Sequence, residues 1–182
     1  MDSLLSSEDC CLVIVDVQGK LAGLMHEKDA MVSNICVLIK AAKSLEIPII
    51  FCQQVPTALG DTVEPIKELL DGVEPVNKSC FSGWRSGEFK EKLIALKRRD
   101  ILLCGIETHI CIYQTAVDLQ AAGLNVTVIG DAVSSRTVQN KQIGLDRIQA
   151  CGGKILSVEM LLFELLKTAE HPKFREIAKL IK

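Results

Sequence analysis

The chain has 182 residues, of which 48% are hydrophobic, and its 21 basic against 23 acidic residues give a formal net charge of -2. This length suits one well-packed domain and is short for two, so we expect a single domain over residues 1–182. A near-neutral charge and only 4% aromatic residues supply neither a basic groove nor a stacking surface. These features argue against a nucleic-acid partner.

The N-terminal segment, MDSLLSSEDCCLVIVDVQ, carries acids where a secretory signal needs positive charge. Its apolar run is broken at Asp16, and no run in the chain approaches the ~18 residues that span a bilayer. The sequence therefore predicts a cytoplasmic protein that does not insert into membranes.

Eight cysteines form an even set, but the chain is large and aliphatic, unlike small disulfide-rich scaffolds. We expect most of these thiols to be reduced. There is no C-x-x-C pair, and the histidines, His26, His109 and His171, are scattered. The spacing required for a zinc site is absent, and we predict neither a metal nor a cofactor.

Six short runs are predicted as β-strands. They read CLVIVDV from Cys11, IPIIFCQ from Ile47, EPVNK from Glu74, DILLCG from Asp100, NVTVIGD from Asn125 and KILSV from Lys154. All but the weak third run are almost fully apolar rather than alternating, which is typical of strands buried on both faces of a parallel sheet.

Amphipathic segments with a helical period separate these strands, at about 27–45, 87–98, 108–122 and 141–151. The tail is predicted to form two further helices separated at His171-Pro172. This alternation predicts a three-layer α/β/α, doubly wound, Rossmann-like fold with a sheet of about six mainly parallel strands.

Polar residues lie where the predicted strands end. Asp16 ends the first strand, Gln54 the second and Lys78 the third, and Cys111 follows the fourth. Because the carboxyl ends of parallel strands share one edge of the sheet, a carboxylate, an amine and a thiol should converge there. If Thr108 caps the next helix, Cys111 lies in its first turn, where the helix dipole lowers a thiol pKa.

This set of residues supports nucleophilic chemistry, with Cys111 as nucleophile, Asp16 as base and Lys78 as the neighbouring charge. Ordinary structural roles remain open at this point. Cysteine is among the most buried residue types, and a lysine considered alone is usually on the surface. The residues by themselves indicate an α/β domain with a candidate thiol site.

Three motifs occur in order: CLVIVDVQ with Asp16, NKSCFSGW with Lys78, and CGIETHICIYQTAVDLQAAG followed by VIGDAVSSR. Together they resemble the isochorismatase-like cysteine hydrolase family over nearly the whole chain. The segments FCQQVPTALGDTVEPI and HPKFREIAKLIK are similar to the small isochorismatase-domain proteins of undefined substrate.

The resemblance implies a catalytic triad of Asp16, Lys78 and Cys111, in which the thiolate attacks a carbonyl and forms an acyl-enzyme that water hydrolyses. It also implies a cis peptide at Ile106-Glu107. The oxyanion hole would then consist of the backbone amides of Glu107 and Cys111.

Differences between this sequence and the motifs of two known activities in the family narrow the range of expected substrates. Nicotinamidase members hold a metal with Asp and His residues after the second strand, where this chain has Gln53, Gln54 and Val55. Enzymes that hydrolyse isochorismate typically lack the cysteine, which is present here as Cys111. We therefore expect a small amide or related carbonyl compound as substrate.

Residues flanking the triad are candidates for binding this small-molecule substrate: Gln18, Gln54, Phe81, Trp84, His109 and Ile110. Phe81 and Trp84 could form a wall for a planar substrate or simply pack in the core. His109 could orient substrate or lie at the surface. Cys104, within the fourth strand, is assigned to the core.

Two other functions remain compatible with the sequence. The eight cysteines allow a thiol redox or stress sensor, although a resolving cysteine in C-x-x-C spacing is missing. The fold could also act as a catalytically silent interaction module. The aliphatic content and the resemblance favour a homo-oligomer, a dimer or a larger assembly.

Overall fold

A computed structural model describes residues 4–181 of the chain. Its centre is a six-stranded parallel sheet with the strand order β3-β2-β1-β4-β5-β6. The strands are β1 (Cys10–Val15), β2 (Ile49–Gln54), β3 (Val76–Lys78), β4 (Asp100–Ile106), β5 (Asn125–Ser134) and β6 (Lys154–Leu156). The predicted fold class, with a parallel sheet between helices, is confirmed.

The strand order has a switch point between β1 and β4. From β1 the chain builds outward through β2 to β3, and from β4 it builds in the other direction through β5 to β6. Val15 pairs with Gly105 at the carboxyl end of this central pair. In open α/β sheets the crevice at such a point is where ligands bind, and the segments after β1 and β4 therefore border it.

Helices cover both faces of the sheet. They are α1 (Gly19–Gly23), α2 (Lys28–Ser44), α3 (Pro56–Leu59), α4 (Glu64–Lys67), α5 (Gly87–Leu96), α6 (Tyr113–Ala121), α7 (Val138–Ala150), α8 (Val158–Leu166) and α9 (Phe174–Ala178). On one face α2 packs against α8, and on the other α6 packs against α7 and borders the 3-10 turn before α5. Buried aliphatic side chains from both faces form one continuous core.

The long helices lie close to the predicted ones, with two differences at their starts. The last amphipathic helix of the sheet, α7, begins at Val138 rather than 141, because the Thr137 hydroxyl caps it by accepting a hydrogen bond from the Asn140 amide at 3.2 Å. The helix predicted over 108–122 is divided into a π-helical turn, Thr108–Ile112, and α6.

No helix within residues 4–181 is long and apolar enough to cross a membrane. Three short helices, α1, α3 and α4, were not predicted, because each has only four or five residues and shows no helical period. Two of them, α1 and α3, lie beside the crevice described below.

Candidate active site

Asp16 directly follows β1 and is almost fully buried, with 2% of its surface exposed. Its φ of 55° lies in the left-handed region, which an Asp tolerates better than most residues. The Asp16 amide donates to the Cys52 carbonyl of β2 at 3.1 Å, and the Asp16 carbonyl accepts from the Gln18 amide at 2.8 Å. The backbone therefore turns sharply at the end of β1 and holds the carboxylate in the crevice.

Lys78 is the last residue of β3, and its side chain is buried beside Asp16 instead of reaching solvent. Its Nζ atom lies 2.6 Å from Asp16 Oδ2 and 2.6 Å from Gln54 Oε1. The same ammonium donates to the carbonyl oxygens of Cys80 and Phe81 at 3.2 and 3.3 Å. A buried ammonium group is costly unless other groups bind it, and here these oxygen atoms take the place of the water molecules that would hydrate it.

Cys111 is in the π-helical turn that follows β4. Thr108 is the first residue of this turn rather than its cap, and its Oγ1 atom is buried without a hydrogen-bond partner within residues 4–181. The expected capping role of Thr108 is therefore wrong. The preceding peptide, Ile106-Glu107, is cis, as the resemblance implied. The Glu107 carbonyl accepts from the amides of Ile110 and Ile112 at 3.1 and 3.2 Å.

The acid and the thiol are both buried, and burial controls their protonation. It raises the pKa of Asp16, while the charge and hydrogen bond of Lys78 act in the opposite direction. Burial, followed by the nearby Asp16 charge, raises the pKa of Cys111 to about 12. The lowered thiol pKa that the helix terminus suggested is therefore wrong. Lys78 does pull the pKa of Cys111 down, but burial outweighs it.

The two groups lie in the lining of the same pocket. The Cys111 thiol lowers the pKa of Asp16, but less than the charge and hydrogen bond of Lys78 do. Lys78 holds Asp16 Oδ2, whereas Asp16 Oδ1 is buried without a hydrogen-bond partner among the described residues.

The backbone amide of Glu107 completes this centre, because its hydrogen bond to the Cys111 sulfur lowers the pKa of the thiol. The Glu107 side chain is held by Arg136. Its Oε2 atom accepts from both the guanidinium Nε at 3.1 Å and the backbone amide at 3.3 Å of Arg136. Arg136 therefore anchors the residue beside the cis peptide.

A pocket of about 110 Å³ opens above the thiol. Its lining comprises Asp16, Leu21, Gln54, Leu59, Phe81, Ile106, Glu107, Ile110 and Cys111. Of the predicted binding residues, Gln54, Phe81 and Ile110 are in this set. Leu21 of α1 and Leu59 of α3 were missed, because both belong to helices too short for a periodic signal.

Gln18 does not line the pocket. It is fully buried, and its Nε2 atom donates to the carbonyls of Gln54 and Gly60 at 3.2 and 2.7 Å. Its Oε1 atom accepts from the Gln54 amide at 2.6 Å. Gln18 therefore joins the end of β1 to the segments on either side of α3, and it supports the rim of the pocket.

Trp84 and His109 also lie outside the lining. Trp84 lines a separate groove with Leu93, and Lys90 Nζ lies 5.0 Å from its ring centroid. The Nδ1 atom of His109 lies 2.9 Å from Ser135 Oγ. Trp84 lies six residues after Lys78 and His109 two residues before Cys111, but the local turns direct both side chains elsewhere.

Gln53, at the position where metal-binding relatives would carry a ligand, donates from Nε2 to Thr62 Oγ1 at 2.9 Å and to Asp61 Oδ1. No group of three or more His, Cys, Asp or Glu side chains suited to a metal occurs within residues 4–181. A cavity of about 790 Å³ that Gln53 helps to line contains acids but no cysteine, serine or histidine in its described lining.

Residues 10–160 match the isochorismatase domain. The chain belongs to the isochorismatase family. It is 38% identical over 176 residues to the secreted isochorismatase effector Isc1 of Phytophthora sojae, covering 94% of this chain and 83% of that protein. This family membership confirms the resemblance drawn from the three motifs.

Two solved structures share the fold. One, described as the MAR1 ribonuclease from Caenorhabditis elegans, is 33% identical with a TM-score of 0.92, covering 98% of this chain and 92% of that one. The other is the YcaC gene product of Escherichia coli, described as an octameric hydrolase of unknown specificity. It is 20% identical with a TM-score of 0.93 and covers 100% of this chain and 90% of that one.

Proposed function

We propose that this isochorismatase-family protein is a cysteine-dependent hydrolase that cleaves the C–N bond of a small amide or a related carbonyl compound. The observation that carries the proposal is the buried ion pair of Asp16 and Lys78 at the switch point of the sheet, with Asp16 and the Cys111 thiol in the lining of one pocket. A base, a cation and a nucleophile in one dry crevice form a complete set for acyl transfer.

In the first half-reaction Asp16 accepts the proton of the Cys111 thiol while sulfur attacks the substrate carbonyl carbon. The carbonyl π electrons move onto oxygen, where the amides of Glu107 and Cys111 stabilise the negative charge. Collapse of this intermediate breaks the C–N bond, and Asp16 returns the proton to the leaving nitrogen. The products are a free amine or ammonia and a thioester on Cys111.

In the second half-reaction water gives a proton to Asp16 and attacks the thioester carbon. The C–S bond breaks, the acid product leaves, and the sulfur recovers the proton from Asp16. Lys78 remains cationic throughout. It holds Asp16 ionised at the start and compensates the negative charge as it moves from the carboxylate to the carbonyl oxygen of the intermediate and back.

The raised pKa of Cys111 fits this order of events, because the thiol stays protonated until substrate and Asp16 are both in place. The redox-sensor alternative requires the reverse, a thiolate at rest. Burial also raises the pKa of Cys10 and Cys11 to about 12 and that of Cys52 and Cys104 still further. These buried cysteines are poor candidates for redox sensing.

The central test is a pair of cysteine substitutions. Cys111→Ala should abolish both amide hydrolysis and the acyl adduct detected by intact-protein mass spectrometry. Cys151→Ala is the matched control, since Cys151 is exposed and remote from the pocket lining, and it should retain both. Turnover that survives Cys111→Ala would overturn the proposed cysteine-dependent mechanism. Absence of both turnover and adduct in the unsubstituted protein would favour the silent interaction module.

Ribonuclease activity, named for the Caenorhabditis relative, is not supported by the site. The small pocket is lined mainly by apolar side chains, and the chain has a net charge of -2. A homo-oligomer is proposed from the sequence and is consistent with the octamer described for YcaC. A cytoplasmic location stays a prediction of the sequence alone.

A further inference from the structure

The lining of the pocket beside Cys111 combines a few polar groups with a larger apolar surface. The polar groups are the thiol, Asp16, Glu107 and Gln54. The apolar side chains are Leu21, Leu59, Phe81, Ile106 and Ile110. A substrate that places its carbonyl at the thiol must therefore place the rest of its acyl group against hydrocarbon.

Both charged groups of the lining already have partners. Asp16 is paired with Lys78 at 2.6 Å, and their side chains are 3% and 0% exposed. The carboxylate of Glu107 is paired with Arg136 at 3.1 Å. Neither pair leaves a charge free to neutralise an ionised substrate.

Gln54 is the remaining polar side chain of the lining, and both ends of its amide are already bonded. Its Oε1 atom accepts from Lys78 Nζ at 2.6 Å, and its Nε2 atom donates to the Ser79 carbonyl at 2.8 Å. Because Lys78 can only donate, this amide orientation is fixed. One Nε2 hydrogen and one Oε1 lone pair remain, so Gln54 can offer an acyl tail a neutral hydrogen bond but no charge to compensate an ionised group.

The pocket volume limits the length of the acyl group. An apolar protein cavity of about 150 Å³ holds benzene, which has six carbon atoms. By this scale the 110 Å³ pocket holds about four or five non-hydrogen atoms. Phe81 is 54% exposed and stands at the opening, so the leaving nitrogen has an outlet to solvent.

We infer that the substrates are amides of short, neutral, aliphatic acids, with acyl groups of about three or four carbons. The inference rests on the proposed hydrolase function and specifies its substrate class. A carboxylate or ammonium on the acyl chain would lose its hydration in this pocket and gain no partner. Charged acyl chains of the same length are therefore excluded.

The first arm of the test compares matched amides by kcat/KM. Butanamide and 2-methylpropanamide are neutral, succinamate and 4-aminobutanamide carry a charge at similar length, and octanamide is too long. We expect the neutral short amides to exceed the charged ones by at least about a hundredfold, because a buried charge without a partner is strongly disfavoured. Equal or better turnover of a charged amide through a Cys111 adduct would overturn the inference and leave the hydrolase function standing.

A substitution in the lining should change this preference. Leu59→Lys places a cation at the half-buried rim of the pocket and should raise the ratio of succinamate to butanamide turnover by about tenfold or more. Leu24→Lys is the matched control, because Leu24 is 63% exposed and is not part of the lining. An unchanged ratio in Leu59→Lys, or an equal change in Leu24→Lys, would contradict the inference.

The second arm does not depend on hydrolysis. Iodoacetamide and iodoacetate are neutral and anionic alkylating agents of nearly equal size, and exposed Cys151 in the same molecule is the reference thiol. Cys111 should prefer iodoacetamide at least about tenfold more strongly than Cys151 does, because anionic iodoacetate would lose hydration in the pocket without gaining a partner.

If no amide is hydrolysed yet this preference holds, the hydrolase function fails while the neutral character of the pocket is upheld. No difference between the two thiols would overturn the inference itself.

Discussion

Asp16 is the residue on which the proposed chemistry depends most, because it must be ionised in a place that disfavours charge. Burial raises its pKa, and Lys78 opposes this rise through charge and a hydrogen bond at 2.6 Å. The balance between desolvation and one cation therefore decides whether the base is available. Replacing either member of a buried pair leaves the other without compensation.

This balance predicts a shift in pH dependence. The reactive form needs ionised Asp16, so the rate of Cys111 modification should fall as the pH drops through the raised pKa of Asp16. Lys78→Met removes the group that lowers this pKa. The acid limb of the profile should move to higher pH, and the rate near neutrality should fall by about a hundredfold or more.

The measurement is the rate of Cys111 alkylation by iodoacetamide from acidic to neutral pH, followed by intact mass. Asp16→Asn is the control, since it should remove the acid limb altogether instead of moving it. If the acid limb lies at the same pH in Lys78→Met and in the protein without substitutions, the proposed role of Lys78 is contradicted.

At the level of residues, the sequence indicates which side chains belong to the candidate site better than it indicates their burial, contacts and pKa values. Asp16, Lys78 and Cys111 could be selected because buried parallel strands bring the residues after them to one edge. The direction of the Cys111 pKa could not be predicted, because it depends on burial and on the Asp16 contact. Gln18 lies two residues from Asp16, yet its side chain bonds to Gln54 and Gly60 and stays outside the pocket.

At the level of elements, the position of Cys111 depends on the contact between α7 and the π-helical turn. Gly144 of α7 lies directly against this turn. A β-carbon at this position would be 2.8 Å from the His109 nitrogen and 2.8 Å from the Thr108 carbonyl carbon. These are backbone atoms that cannot rotate away, so the absence of a side chain at Gly144 permits the contact.

Gly144→Ala should therefore displace α7 or the turn, lowering the free energy of unfolding by about 1–3 kcal/mol. It should also slow acylation of Cys111, since small displacements of a nucleophile have large effects on rate. Gly87→Ala is the matched control, because a β-carbon there meets no atom within 4 Å. It should be neutral or stabilising by up to about 1 kcal/mol.

Chemical denaturation and Cys111 alkylation rates, measured on both variants, check this prediction. Full stability together with an unchanged alkylation rate in Gly144→Ala would show that the contact does not position the nucleophile. A loss of stability alone would assign Gly144 a packing role only.

The elements themselves were predictable in proportion to their length. The runs that form β1, β2, β4 and β5 have enough consecutive apolar residues to be recognised, and they agree with the structure within a few residues. In contrast, α1 and α3 contain five and four residues. Gly19 allows their close approach, since a β-carbon there would lie 2.2 Å from the Leu59 carbonyl oxygen. This tertiary contact between α1 and α3 places Leu21 and Leu59 at the pocket. It produces no hydrophobic repeat in the sequence from which it could be predicted.

At the level of the whole molecule, the sheet order explains why one crevice collects the chemistry. With β1 and β4 adjacent, the chain departs from the central pair in opposite directions, which leaves a crevice at their carboxyl ends. Asp16 after β1 and Cys111 after β4 border this space from its two sides. Lys78 reaches it from β3 across β2, and its long side chain spans the intervening strand.

The charge of the whole molecule leads to a last prediction, concerning nucleic acid. The 21 basic residues are offset by 23 acidic ones, and several of the basic side chains are already paired: Lys67 with Asp61, Lys78 with Asp16, Arg85 with Asp118, Lys92 with Glu88, Arg136 with Glu107 and Lys173 with Glu176. Binding to a phosphate backbone requires several free cations along one path, and its strength rises as salt is removed. We therefore expect no rise in the anisotropy of a fluorescently labelled single-stranded RNA at low salt, with the protein in large excess. A basic RNA-binding protein measured in the same buffer serves as the positive control, and a saturable rise that added salt abolishes would contradict the prediction.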